Sequence, residues 1–183
     1  MMLALLVPLA ATAAEQPKKA GQANKPGASA ASLIRADFSA AMASIKSEDY
    51  DQAITLLNKV IAQSPMNPVP YINLALVYRK LENLTLAEEN LKLAIKLEPE
   101  NPVANNEYAL LFRKTGRFAE ARQVYEKILE RYPNFMMAHK NLGVLCDLYM
   151  RDYACALKHY EIYSGFMPED DAVKIWIADI RER

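Results

Sequence analysis

The sequence has no excess of charge of either sign and few of the residues on which catalysis or metal binding usually depends. Its 183 residues include 22 Lys and Arg against 22 Asp and Glu, with only two Cys and two His. A general nucleic-acid binder normally carries a basic excess, so this balance argues against that class and leaves room only for a local charged groove. The sequence contains no glycine-rich phosphate loop, nucleophile elbow or paired-histidine metal helix. We therefore expect no enzyme, no cofactor and no small-molecule substrate.

Residues 1–14 differ in composition from the rest of the chain. An apolar run from Leu3 to Ala10 leads into small residues, and Ala11-Thr12-Ala13 fits the cleavage pattern of an export signal. The run is shorter than the roughly 20 apolar residues that span a bilayer. It is not preceded by Lys or Arg, which a signal peptide usually has. We expect a signal peptide over 1–14, cleaved near Ala13, and a periplasmic mature protein. The alternative is a buried or interfacial N-terminal segment.

Residues 15–31 carry Pro, Gly, Lys and Ala and almost nothing to bury. Such a segment cannot offset its ordering entropy, so we expect a flexible linker. No Cys follows the apolar run closely, so a bacterial lipid anchor is not indicated.

From Ser32 onward, similar residues recur at a constant spacing. Three series keep a 34-residue period: Pro65, Pro99, Pro133 and Pro168; Ala53, Ala87, Ala121 and Ala156; and Ala41, Ala75, Ala109 and Gly143. In the first two series the last member, Pro168 or Ala156, comes one residue late. The extra residue therefore lies between Gly143 and Ala156, in or near the turn at 150–152. Agreement of three series on one period indicates stacked supersecondary units.

Each unit has the signals of a helical hairpin. Asn67 and Asn101 each precede a proline, and Asn caps a helix well while Pro suits the first helical position. After Pro168, an apolar stripe at helical spacing predicts a final helix over about 170–182. Trp176, the only Trp, is either a core residue of that helix or an interface anchor.

The pattern resembles the tetratricopeptide repeat, whose signature is W-x2-L-G-x2-Y, A-x3-F and P over 34 residues. Leu142-Gly143 matches L-G, and Ala121-x3-Tyr125 matches A-x3-F. The resemblance implies an all-α fold, a right-handed superhelical α-solenoid of four hairpins plus a C-terminal capping helix. The predicted domain covers 32–183, with repeats at about 34–67, 68–101, 102–135 and 136–169.

The residues of each first helix that lie opposite its packing face are expected to line a concave groove. The predicted partner-binding set is Ile72, Asn73, Leu76, Arg79, Lys80, Asn106, Leu110, Arg113, Lys114, Lys140 and Val144. Basic pairs one period apart suit the carboxylates of an acidic, extended or helical protein segment, and exposed Leu side chains suit its apolar residues. The alternative is a solvated face, because cations are favoured at helix C-termini.

One constellation has the residue types of a zinc site: His139, Cys146, Cys155 and His159. On a regular helix His139 and Cys146 share the packing face, whereas Cys155 and His159 lie about 100° from the inward face of theirs. We therefore expect the two pairs not to converge, and we expect no metal site. The same geometry argues against a Cys146–Cys155 disulfide, although an exported protein with an even number of Cys invites one.

The stretches 141–149, 156–161 and 176–180 resemble the tail of small exported bacterial tetratricopeptide proteins encoded beside TonB–ExbB–ExbD-type energy-transduction systems. This implies a non-catalytic scaffold of an envelope machine in a membrane-associated complex, and a pilotin-like factor of type IV pilus assembly is a neighbouring alternative. A cytosolic co-chaperone-type adaptor is the second hypothesis. Some such co-chaperones hold a terminal carboxylate with Lys and Asn, but Phe38 and Met42 stand at those positions here, which disfavours binding of a chaperone tail.

Overall fold

The computed structural model describes residues 29–183, so the predicted signal peptide and nearly all of the predicted linker lie outside the described residues. The described helices are α1 (Ala30–Lys46), α2 (Tyr50–Gln63), α3 (Pro68–Lys80), α4 (Leu84–Leu97), α5 (Pro102–Lys114), α6 (Phe118–Arg131), α7 (Met136–Val144), α8 (Tyr153–Phe166) and α9 (Asp171–Glu182). A π-helical turn, Leu145–Met150, continues α7. The all-α fold of four hairpins and a closing helix is confirmed. Within residues 29–183, no helix has both the length and the apolar character needed to cross a bilayer.

The predicted helix starts at the second and third hairpins are confirmed. The Asn67 side-chain oxygen accepts the Val69 N–H at 3.0 Å, and that of Asn101 accepts the Ala104 N–H at 2.9 Å. Each Asn is followed by a proline in the first helical turn, where the missing N–H has no partner to lose. Local sequence therefore determines where α3 and α5 begin.

Each hairpin turn contains one residue with a left-handed backbone. These are Glu48, Glu82, Gly116 and Arg151, with φ between 54° and 78°. The first three are 34 residues apart and Arg151 follows after 35. The π-helical turn absorbs the extra residue, because a π-helix bonds residue i to i+5 and so holds more residues per turn. The predicted place of the extra residue is thereby confirmed.

The described residues form two compact units, which divide between Leu97 and Glu98. The first unit holds the hairpins α1–α2 and α3–α4, around a core of Phe38, Ala41, Ala53, Leu57, Val60, Leu74 and Val77. The second holds α5–α6, α7–α8 and α9. Its core includes Ala109, Phe112, Ala121, Tyr125, Ile128, Leu142, Leu145, Ala156, Tyr160, Val173 and Ile177. Small residues of the repeating series lie in both cores.

Candidate functional site

The middle parts of α3 and α5, the first helices of the second and third hairpins, are covered on all sides. Every residue of the six-residue stretch Ile72–Val77 in α3 is buried, and so is every residue of Ala109–Phe112 in α5. A helix enclosed over a full turn has no solvent-facing side there. The expectation that Leu76 and Leu110 form an exposed apolar strip is therefore wrong: they are 7% and 9% exposed. Val144 is half-buried.

The predicted amides also lie inside the protein. Asn73 is fully buried and donates to the Val69 carbonyl in its own helix at 2.9 Å. Asn106 accepts a hydrogen bond from the Asn141 side chain at 3.0 Å, which joins α5 to α7 within the second unit. Both amides contribute to internal hydrogen bonding in this structure.

Lys140 holds the closing helix in place. Its ammonium donates to Asp170, just before α9, and lies 5.0 Å from the Tyr163 ring centroid and 5.6 Å from that of Trp176. The hydrogen bond from Lys140 lowers the pKa of the Asp170 carboxyl. Trp176 is half-buried, with its ring 5.4 Å from Tyr160, so it packs as a core-facing residue of α9. Lys140 thus has a role within the second unit that the sequence did not predict.

The predicted cations at the helix ends stay accessible. Arg79 and Lys80 end α3 in the first unit, and Arg113 and Lys114 end α5 in the second. In each pair the Arg is half-buried and the Lys is exposed. Of the predicted set, these four residues, Val144 and Lys140 keep exposed surface, and the Lys140 side chain is 27% exposed although it is bound to Asp170.

An aromatic residue that the sequence analysis missed lies beside Arg113. The Arg113 guanidinium is 5.7 Å from the Tyr149 ring centroid, and the Phe118 ring is 4.9 Å from it. Tyr149 is 46% exposed and its neighbour Leu148 is 64% exposed. We call Arg113, Leu148 and Tyr149 the Tyr149 surface. The sequence does contain a signal for this surface, because Ala156 and Pro168 come one residue late in their series. The π-helical turn that absorbs the extra residue carries both Leu148 and Tyr149.

The two histidines and the two cysteines do converge, contrary to the prediction. The Nδ1 atoms of His139 and His159 are 2.9 Å apart, and Cys146 forms a disulfide with Cys155. The prediction placed all four residues on regular helices. For the cysteines it failed because Cys146 lies in the π-helical turn, whose wider turn changes the direction of its side chain. His139 and His159 lie on the regular helices α7 and α8, so for them the expectation that an offset of about 100° prevents contact was itself wrong.

The hydrogen bonds of the histidine pair determine the tautomers of both rings. The Pro133 carbonyl can only accept, so His139 Nε2–H donates to it at 2.9 Å. His139 Nδ1 then accepts from His159 Nδ1–H, which leaves His159 Nε2 as the nitrogen with a lone pair. Burial, and then the neighbouring His139 and Lys158, lower the pKa of His159 to about 4. The His159 ring is therefore neutral at pH 7.

The comparisons with known proteins agree with the repeated helical hairpins described above. Residues 72–135 and 35–65 match two sequence models of the tetratricopeptide repeat, together more than half of the chain. RNA polymerase II-associated protein 3 of Homo sapiens is 34% identical over 97 residues, which cover 53% of this chain and 15% of that protein.

Two solved structures extend the similarity to three dimensions. The structure of PilF from Pseudomonas aeruginosa is 22% identical, with a TM-score of 0.75, over 82% of this chain and 68% of that one. The first repeat domain of Spaghetti (RPAP3), bound to the HSP90 peptide SRMEEVD, is 26% identical, with a TM-score of 0.58, over 62% of this chain and 90% of that one. On the repeat period, the helical hairpins and the matching sequence models, the chain belongs to the tetratricopeptide-repeat family.

Proposed function

We propose that this protein is a non-catalytic adaptor that binds an acidic segment of a partner protein. The observation that carries the proposal is the pair of accessible cations at the end of α3 and again at the end of α5, one repeat apart. Arg and Lys at such positions pair with carboxylates. Tetratricopeptide repeats are protein-interaction modules, and one similar repeat domain is bound to the acidic peptide SRMEEVD.

The Tyr149 surface supplies the apolar part of the proposed site. An exposed Tyr beside an Arg is typical of the residues that contribute most to protein interfaces, and the exposed Leu148 adds apolar area next to them. Since Tyr149 already packs on Phe118, little of its conformational freedom is left to lose on binding. We expect the bound segment to place a large apolar residue next to its acidic residues.

For its cellular location, we propose that the mature protein lies in the periplasm, where it has an accessory role in a bacterial envelope machine. The resemblance of residues 141–149 to exported repeat proteins supports this placement. The Cys146–Cys155 disulfide supports it too, because disulfides persist in oxidising compartments. A role in type IV pilus assembly is a variant of the same proposal, and the similarity to PilF bears on it through the fold alone.

The second candidate is a co-chaperone-type adaptor that binds a chaperone tail. It is favoured by the structure of the Spaghetti domain with its HSP90 peptide. At the positions where the resemblance would require Lys and Asn to hold a terminal carboxylate, Phe38 is buried and Met42 is half-buried. We therefore expect recognition of side-chain carboxylates, not of a free C-terminus.

A binding experiment separates these functions. An array of randomised short peptides, probed with the protein, should select Asp and Glu close to a large apolar residue. Charge reversal by Arg113→Glu should weaken the selected peptides by about 30-fold, which corresponds to the roughly 2 kcal/mol lost when one charge of a desolvated pair is removed. Arg79→Glu tests the first unit in the same way.

The second candidate is tested with labelled SRMEEVD, prepared once as the free acid and once as the C-terminal amide. If the protein binds chaperone tails, its affinity for the peptide must fall on amidation.

The matched control is Lys96→Glu, which reverses an exposed charge on the second helix of its hairpin. It should leave both affinity and thermal midpoint unchanged, since single exposed charges contribute less than about 1 kcal/mol to folding. If Arg79→Glu and Arg113→Glu bind the selected peptides as the wild type does, the cations are only a solvated face and the proposal is wrong.

A further inference from the structure

The turn between α7 and α8 brings three metal-binding side chains together around the disulfide. Cys146 is buried in the π-helical turn and Cys155 is half-buried near the start of α8, with their Cα atoms 5.9 Å apart. Asp152 caps α8 by accepting the Cys155 N–H at 3.1 Å. The two sulfurs and a carboxylate oxygen of Asp152 all lie within 4.8 Å of one another.

These donors suit zinc once the cysteines are reduced. Zinc takes thiolate and carboxylate ligands in a tetrahedral arrangement, with Zn–S distances of about 2.3 Å, which places two bound sulfurs about 3.8 Å apart. Reduction of the disulfide must therefore let the two sulfurs move apart before they can bind the metal. We propose that the reduced form of this hairpin binds Zn²⁺ through Cys146, Cys155 and Asp152, and that the disulfide form does not.

The charged side chains around Asp152 allow its carboxylate to bind a metal. Asp152 uses one oxygen for the helix cap and the other for Arg122, at 3.0 Å. Arg122 also donates to Glu126 at 2.8 Å, so it keeps a carboxylate partner when the metal takes the second oxygen of Asp152. Glu130 adds a further negative charge around the same cavity, which is balanced by Lys158.

An open cavity beside Asp152 and Cys155 gives water access to the proposed site. Asp152, Cys155 and His159 all line this open cavity of about 610 Å³. His159 lies one helical turn beyond Cys155, and its Nε2 is the ring nitrogen left with a lone pair. Water from this cavity completes the tetrahedron, because His159 lies outside the cluster formed by the three donors.

The redox step balances with an external dithiol. A dithiol reductant transfers two electrons and two protons to the disulfide, giving two thiols on the protein and a disulfide in the reductant. Binding of Zn²⁺ then replaces the two thiol protons, which pass to solvent, because only thiolates bind the metal. The disulfide form has no thiolate to offer, so oxidation and metal binding exclude each other at this site.

Cobalt titration of the full chain tests the proposal. The protein is reduced, freed of reductant without air and titrated with Co²⁺, whose thiolate charge-transfer and tetrahedral d–d bands report the ligands. We expect both bands in the reduced protein, their loss on addition of Zn²⁺, and neither band in the oxidised protein. Native mass spectrometry should show one Zn²⁺ per reduced chain.

Two variants identify the ligands. Cys155→Ser should abolish the charge-transfer band. Asp152→Asn keeps a good helix cap and both thiols but removes the carboxylate, so it should weaken Zn²⁺ binding by more than about tenfold. A reduced wild type that shows no charge-transfer band overturns the proposal, and so does a reduced hairpin that unfolds and does not refold with Zn²⁺. Unchanged affinity in Asp152→Asn removes Asp152 from the site and with it the proposed ligand set.

Discussion

Gly143 of α7 lies directly against the Tyr160 ring of α8. A Cβ at this position would lie 2.5 Å from two ring atoms of Tyr160, a distance that real contacts do not show. Tyr160 is itself almost fully buried, so its ring has little room to move aside. The small residue that recurs at Ala75 and Ala109 therefore has to be glycine in the fourth hairpin, because a tyrosine faces it.

Gly143→Ala should destabilise the protein by about 1–3 kcal/mol, the usual cost of overpacking a filled core. Urea unfolding followed by circular dichroism measures the change. Gly165→Ala is the matched control, because a Cβ there meets no atom within 4 Å and α8 continues through it. That control should be neutral or stabilising by up to about 1 kcal/mol, since Ala favours a helix over Gly. Equal effects of the two changes would mean that the α7–α8 contact is not as described.

The period of the small residues was readable from the sequence, whereas the identity of their neighbours was not. The spacing placed Gly143 in the series of small residues, but it did not show that Tyr160 would face this position. Nothing in the spacing showed that Leu76 and Leu110 would be buried. Their burial depends on how completely α3 and α5 are covered, which is a property of the folded chain.

At the scale of elements, the fourth hairpin differs from the others through the π-helical turn. The helix starts at Asn67 and Asn101 were predictable because capping depends on adjacent residues. The convergence of the cysteines was not, because the prediction assumed a regular helix through Cys146. One extra residue in the chain changed the direction of the side chains that follow it.

Buried His159 should make the stability of this hairpin depend on pH. The folded protein lowers the pKa of His159 to about 4, below the ordinary 6.5, so the unfolded chain binds its proton more readily. Stability is then full above about pH 6.5 and falls as the pH drops from 6.5 towards 4. The carboxyls of Asp152 and Asp170, whose pKa values are lowered from 3.8, lose their contribution only at lower pH.

Thermal midpoints measured between pH 7 and pH 4.5 test this dependence. The wild type should lose stability steadily over that range, and His159→Gln should show a flatter profile, because glutamine keeps a donor for His139 but does not titrate. Lys158→Gln serves as a control that removes a neighbouring charge without removing the titrating ring, and it should retain most of the slope. A His159→Gln profile as steep as that of the wild type would assign the pH dependence to other groups.

For the whole molecule, the repeat period was enough to predict the fold class, because each 34-residue unit contains its own hairpin signals. The division of the described chain into two compact units at Leu97 was not predictable, since the period is unbroken there. The binding surface was predictable in part. Helix-end cations follow from sequence register, but the exposure of Tyr149 follows from the π-helical turn, and no sequence rule identifies the partner.

The setting of the protein yields the last prediction, that the chain is exported and oxidised. The apolar run Leu3–Ala10 and the small residues Ala11 and Ala13 motivate it, and the disulfide fits an oxidising compartment. Expressed from Met1 in a Gram-negative bacterium with a C-terminal tag, the protein should begin near Ala14, leave the cell on osmotic shock, and resist thiol alkylation until reduced. Ala13→Leu should block cleavage because the last position of the signal takes only small residues, whereas Thr12→Leu, at the tolerant middle position, should be processed normally. A cytosolic protein that keeps Met1 and has two alkylatable thiols would contradict export, and it would make the reduced, zinc-binding form of the fourth hairpin the form present in the cell.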